Sequence, residues 1–114
     1  MKLKDGVFTE VTVIVKGKPV KLVPSVEIKA AMEVADALSK EIVKQEITIT
    51  SILDGKHKEG SKHYKGDAFD MRTWSSIFTG NKLPIFISNL IENLGKNYDV
   101  VLHNTHLHVE FDPK

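Results

Sequence analysis

The segment that most constrains this chain is His106-Leu107-His108-Val109-Glu110-Phe111. Polar and apolar residues alternate through it, and a β-strand sorts such a pattern cleanly onto two faces. Leu107, Val109 and Phe111 then belong to a core, and His106, His108 and Glu110 to a cleft or to solvent. Residues 98–103 read as a partner strand, separated from it by Asn104-Thr105, a two-residue hairpin loop. In that register His103 faces His106, with Cβ atoms roughly 4.5–5.5 Å apart on one face. Three histidines converge near the tip of one hairpin.

The rest of the chain supplies elements that such a hairpin can pack on. Residues 7–23 predict a hairpin in which Val11, Val13 and Val15 alternate with Thr12 and Ile14, turning at Lys16-Gly17-Lys18-Pro19. Pro24 is expected to open a helix over 25–44, with Ala31, Val34, Ala35, Leu38 and Ile42 as its apolar stripe. Residues 46–53 predict a half-buried strand, 54–66 a long glycine-containing loop, and 68–73 a short strand. Leu83, Phe86, Ile87, Leu90, Ile91 and Leu94 define a second amphipathic helix that Gly95 stops. The order ββ-α-β-loop-β-α-ββ predicts an α+β fold, a mainly antiparallel sheet with two packed helices.

At 114 residues the chain has room for one core, so residues 1–114 read as a single domain. The absence of cysteine excludes disulfides, thiolate metal sites and cysteine nucleophiles. A net charge of +1, from 15 lysines and Arg72 against 15 acids, gives no reason to expect nucleic acid. No apolar run approaches the roughly 20 residues of a membrane span, and the N-terminus lacks the apolar stretch of a signal peptide.

The five histidines, His57, His63, His103, His106 and His108, all lie in the second half of the chain. Histidine is the commonest metal ligand, and without cysteine a histidine–carboxylate site is what remains. His63 on a loop and Asp70 on the following strand are able to meet at one ion. Asp70 and Arg72 share a strand face, with Phe69 and Met71 behind. His57 reads as a solvated loop residue or a cleft rim that touches substrate. Arg72 reads as a structural ion pair or an anchor for a substrate carboxylate. Trp74 is expected in the core, and Glu110 too far along the strand to reach a metal.

The pattern Ser61-x-His63-x-x-Gly66-x-Ala68-x-Asp70, followed by His106-x-His108-Val109, resembles the zinc peptidases that include D-Ala-D-Ala carboxypeptidases and dipeptidases. Phage L-alanyl-D-glutamate endopeptidases and the hedgehog signalling domain belong to the same group, and the resemblance is closest to small phage members. It covers about residues 50–113. It implies a hedgehog/D-Ala-D-Ala-peptidase-like fold and a zinc ion held by His63, Asp70 and His108, with a fourth position left open. It also implies hydrolysis of amide bonds in peptidoglycan stem peptides; His106, two residues before His108 on the same strand face, is expected as the main general base, with His103 opposite it as its helper.

On this reading the enzyme is made without a signal peptide, works at the bacterial cell wall during phage lysis or from the virion, and is a monomer. One departure stands out. Related phage proteins commonly carry glutamate five residues before the last ligand, where this chain has His103. Some peptidoglycan endopeptidases of the group have a histidine there, in a His-x-x-His-x-His arrangement like that of residues 103–108. The alternative is a zinc-binding module of the same fold without peptidase activity, as the hedgehog domain exemplifies. A histidine–asparagine nuclease, prompted by His103-Asn104-Thr105-His106, needs a following helix for which the six residues after His108 leave no room.

Overall fold

The computed structural model describes residues 1–53 and 66–114. Its elements are β1 (Lys2–Leu3), β2 (Val11–Val15), β3 (Lys18–Leu22), α1 (Val26–Ile42), β4 (Thr48–Ser51), β5 (Ala68–Arg72), α2 (Lys82–Leu94), β6 (Tyr98–Leu102) and β7 (His106–Phe111). The fold is α+β. Five strands form one sheet in the order β1-β4-β5-β7-β6, and β2 and β3 form a separate two-stranded ribbon. Every pairing is antiparallel except β1 with β4. The two-residue β1 is too short to leave a periodic signal in the sequence.

Local chemistry sets the boundaries. The ribbon turns on Lys16 and Gly17 alone, both at positive φ (51° and 78°), the twist that two-residue hairpin loops require. Lys18 and Pro19 therefore belong to β3 rather than to the turn, and Pro19 is tolerated because each strand of a two-stranded ribbon has an unpaired edge. Ser25, not Pro24, starts α1: its hydroxyl accepts the Ile28 N–H at 3.1 Å, satisfying an otherwise orphaned donor. Gly95, at φ 84°, ends α2 as the sequence predicts.

The core lies between the helices and one face of the sheet. Phe69, Met71, Leu107 and Val109 are fully buried from the sheet side, against Ile28, Ala31 and Ala35 of α1 and Phe86 and Leu90 of α2. The α1 stripe is rotated from the expected one. Val34, Leu38 and Ile42 are only partly buried, whereas Asp36 and Ser39 are buried. Both polar side chains serve the chain just beyond the helix: Ser39 Oγ donates to Gln45 O at 2.7 Å, and Asp36 Oδ1 accepts the Ile47 N–H at 3.0 Å. Phe111, expected in the core, is half-buried, its ring tilted on Tyr98 at 5.2 Å.

In and beside β4 the apolar positions run Ile47, Ile49, Ile52, a change of spacing from two to three that a regular strand cannot bury on one side. The register shift between Ile49 and Ser51 resolves it. One extra residue restores the phase, and Ile47, Ile49 and Ile52 are all buried.

Candidate functional site

The face of the sheet opposite the core carries the polar set. Antiparallel register places Arg72 across from His106, Asp70 across from His108, and Ala68 across from Glu110. The β6–β7 hairpin turns on Asn104-Thr105, and the His103 N–H donates to His106 O at 2.9 Å, so the two histidines are directly opposed. Their rings stack at 4.7 Å with 22° between planes, and His103 meets His108 edge-on at 6.5 Å. The expected convergence of the three histidines is present.

His108 is the centre of the arrangement. Its Nδ1 lies 2.9 Å from Asp70 Oδ1 and its Nε2 lies 2.9 Å from Glu110 Oε1. Glu110, expected to stand too far along the strand to take part, is within hydrogen-bond distance of the His108 ring. The residue spacing along one strand face was the signal: two residues on from His108, its side chain stands beside the ring. His106 Nε2 lies 3.9 Å from Asp70 Oδ2, and its Nδ1 is 3.4 Å from Thr105 Oγ1. Asp70, His106, His108 and Glu110 are partly buried, and His103 and Thr105 are exposed.

Two carboxylates flanking one imidazole leave a definite electrostatic demand. If Nε2–H donates to Glu110, Nδ1 directs a lone pair at the Asp70 carboxylate, and a cation between them removes the repulsion. A proton is one such cation: the hydrogen bond with Asp70 raises the His108 pKa above 6.5, burial opposes it, and the Glu110 hydrogen bond adds to the rise. A metal ion is the other. Ligands of a tetrahedral zinc stand roughly 3.3 Å apart, given bonds of about 2.0–2.1 Å, close to the Asp70–His108 separation. Histidine and carboxylate are zinc donors, and a carboxylate on the distal nitrogen is the usual way such a ligand is oriented. Asp70 and His108 supply two donors of the kind zinc takes, one short of the three that a catalytic zinc site draws from the protein.

His63, the third ligand that the resemblance implies, and His57 lie outside the described residues. Gly66, of the same motif, is described. It sits at φ 73°, and a Cβ there would run into the Val23 carbonyl oxygen. Its own carbonyl accepts the Ser25 N–H at 2.8 Å, which ties the entry of β5 to the start of α1. Glycine at this position is therefore a packing requirement.

Arg72 forms no ion pair among the described residues. Its guanidinium lies 3.7 Å over the ring of Trp74, which is 50% exposed and not in the core. Among the described residues, the group of three donors that could hold a metal ion is Asp99, Glu110 and Asp112. Lys114 Nζ sits within 3.3 Å of Asp99 and 3.1 Å of Asp112 and already supplies positive charge there.

None of the described helices is long and apolar enough to cross a membrane. Comparison of the chain with protein-family models, with curated proteins and with solved structures gives no match.

Proposed function

We propose that the protein is a zinc-dependent peptidase of the hedgehog/D-Ala-D-Ala-peptidase-like fold, hydrolysing amide bonds of peptidoglycan stem peptides. The observation that carries the reading is the Asp70–His108–Glu110 chain, which puts a carboxylate at each nitrogen of one histidine. Asp70 and His108, with His63, would hold the metal. When bound, zinc polarises the scissile carbonyl and makes water a competent nucleophile near neutral pH.

The remaining work falls to the chain's own side chains. Glu110 accepts the Nε2–H of His108 and fixes its tautomer, keeping Nδ1 turned toward Asp70. His106, two residues along the same strand face, takes a proton at a ring nitrogen and later returns it to the leaving amine. His103 stacks against that ring and holds its plane. Arg72, unpaired among the described residues, offers a planar fork to a substrate carboxylate. Digestion of purified cell walls, with fragments identified by mass spectrometry and a chelator control, tests the function. Chelator-sensitive release of stem-peptide fragments is the expected result, and intact walls at full zinc occupancy would contradict it.

A second reading keeps the metal and drops the reaction. His103 stands where related enzymes carry glutamate, so no carboxylate is available there as base. Metal binding with inert walls would identify the protein as a zinc-binding module.

A further inference from the structure

The two edges of the five-stranded sheet end differently. At one edge β1 is two residues long and runs into Lys4, a short, charged edge of the kind that discourages further pairing. At the other edge β6 runs Tyr98-Asp99-Val100-Val101-Leu102, without proline or lysine and with no strand beyond it among the described residues. The hairpin register says which of its backbone groups are free. Hydrogen-bonded and open pairs alternate along an antiparallel ladder. Starting from His103–His106, the bonded pairs recur at Val101–His108 and Asp99–Glu110. The N–H and C=O of Val100 and Leu102 therefore point away from β7, out over the edge. The helix side of this edge is open as well. Leu102 lies across from the buried Leu107, on the core face, and borders a cleft of about 410 Å³ with Leu83, Pro84, Ile87, Ser88 and Ile91 of α2. Leu102 is 51% and Ile91 50% exposed. The apolar layer between sheet and helix thus continues past the last strand, and none of the residues lining the cleft is charged.

We infer that this edge is a dimer interface, at which β6 of a second copy pairs antiparallel with β6 about a two-fold axis normal to the sheet. An axis in that direction reverses the strand and keeps its face. The outward groups of Val100 and Leu102 then meet those of the partner strand, and α2 meets its counterpart on the core side. A second copy fits the edge better than an isolated strand does. A strand satisfies the backbone groups but leaves the α2 wall of the cleft in water, whereas a copy brings its own helix to cover Ile87 and Ile91. With no charge in the cleft, nothing opposes the contact of like with like. The contact is one strand and one helix long, roughly 17 and 20 Å. That places it near the lower bound of specific interfaces, about 1,200 Å² in total. Both histidine faces lie on the other side of the joined sheet. Three strand spacings, roughly 14 Å, separate the two β7 strands that carry His108. The two Asp70–His108 pairs thus share one surface. The inference stands apart from the peptidase reading and departs from the monomer that the sequence suggests.

Sedimentation equilibrium of the full chain, with and without zinc, tests the association. A reversible dimer is expected, with a dissociation constant of roughly 1–100 μM for a contact of this size. Leu102→Lys and Ile91→Lys put a charge into the cleft at exposed positions. Each should weaken the dimer at least tenfold with an unchanged circular dichroism spectrum. Val15→Lys, at the exposed end of the β2–β3 ribbon, should not. Cross-linking tests the geometry, because the chain has no cysteine of its own. The residue on a two-fold axis faces its own copy at a Cα distance of about 4.5–5.5 Å, within the range of a disulfide. Val100→Cys or Val101→Cys, at the middle of β6, should therefore form a covalent dimer on mild oxidation, and Val15→Cys should not. A monomer at every concentration up to about 1 mM, or a dimer indifferent to both cleft charges, overturns the interface. So does a dimer that Val15→Lys dissociates, the absence of a link at both β6 positions, or equal linking at Val15.

Discussion

His108 faces Asp70 across the β5–β7 ladder with Nδ1 and Oδ1 2.9 Å apart, while Glu110 holds the opposite ring nitrogen at the same distance. The imidazole is thereby held between two carboxylates on neighbouring strands.

The strand phase is the first. Leu107 is fully buried at the centre of the core face, so Leu107→Ala should cost about 2–5 kcal/mol in denaturant unfolding. Phe111→Ala should cost less than a fully buried phenylalanine, because its ring is half-buried at the end of β7. Equal and small losses at both positions would place the histidines, not the leucine, against the helices.

Gly66→Ala is the second. The positive φ and the Val23 carbonyl leave no place for a methyl group. The variant should unfold at lower denaturant than the parent and should also bind zinc more weakly, since Gly66 leads directly into β5. Unchanged stability and metal affinity would mean that the backbone here relaxes without consequence.

The third concerns Asp36. Burial pushes its carboxyl up, but hydrogen bonds from Lys40 and from the Ile47 N–H, with the charge of the Met1 amine, outweigh burial and leave it below 3.8. A group whose pKa is lowered by folding stabilises the fold above its unfolded value and loses that contribution as pH falls through the folded one. Asp36→Asn should therefore be less stable than the parent at pH 7, and the gap should narrow below about pH 4. A gap independent of pH would show that the carboxylate charge contributes nothing.

The fourth separates the stacked histidines. His106→Ala should keep its zinc and lose roughly 10²–10⁴-fold in turnover on cell walls, the usual worth of acid–base catalysis. His103→Glu should keep activity or raise it, because it restores the carboxylate of the related enzymes. A nearly active His106→Ala beside a dead His103→Ala would reverse the two roles. An inactive parent that His103→Glu switches on would identify a binding module.

What the sequence disclosed follows from the strength of each local signal. The β6–β7 hairpin and its three-histidine face were legible because period two admits one sorting of side chains, and a two-residue loop fixes the register. The Arg72–His106 and Asp70–His108 pairings were not, since nothing local says that β7 lies between β5 and β6. The buried face of α1 is not legible in the sequence because Asp36 and Ser39 are polar, and only their bonds to Ile47 and Gln45 explain their burial. Trp74 was expected inside on hydrophobicity, whereas its ring serves as a platform for Arg72. The face of Glu110 follows from the strand period, but its contact does not: the carboxylate meets the ring of His108, two residues back on the same face.

The central claim is that His108 and Asp70 hold a metal ion, and zinc content measures it most directly. Elemental analysis of protein purified without added metal should give one zinc per chain. His108→Ala and Asp70→Ala should each lose it, and Asp99→Asn and Asp112→Asn, in the acidic group of three, should retain it. Zinc well below one equivalent in the parent, or full zinc affinity in both His108→Ala and Asp70→Ala, would contradict the account.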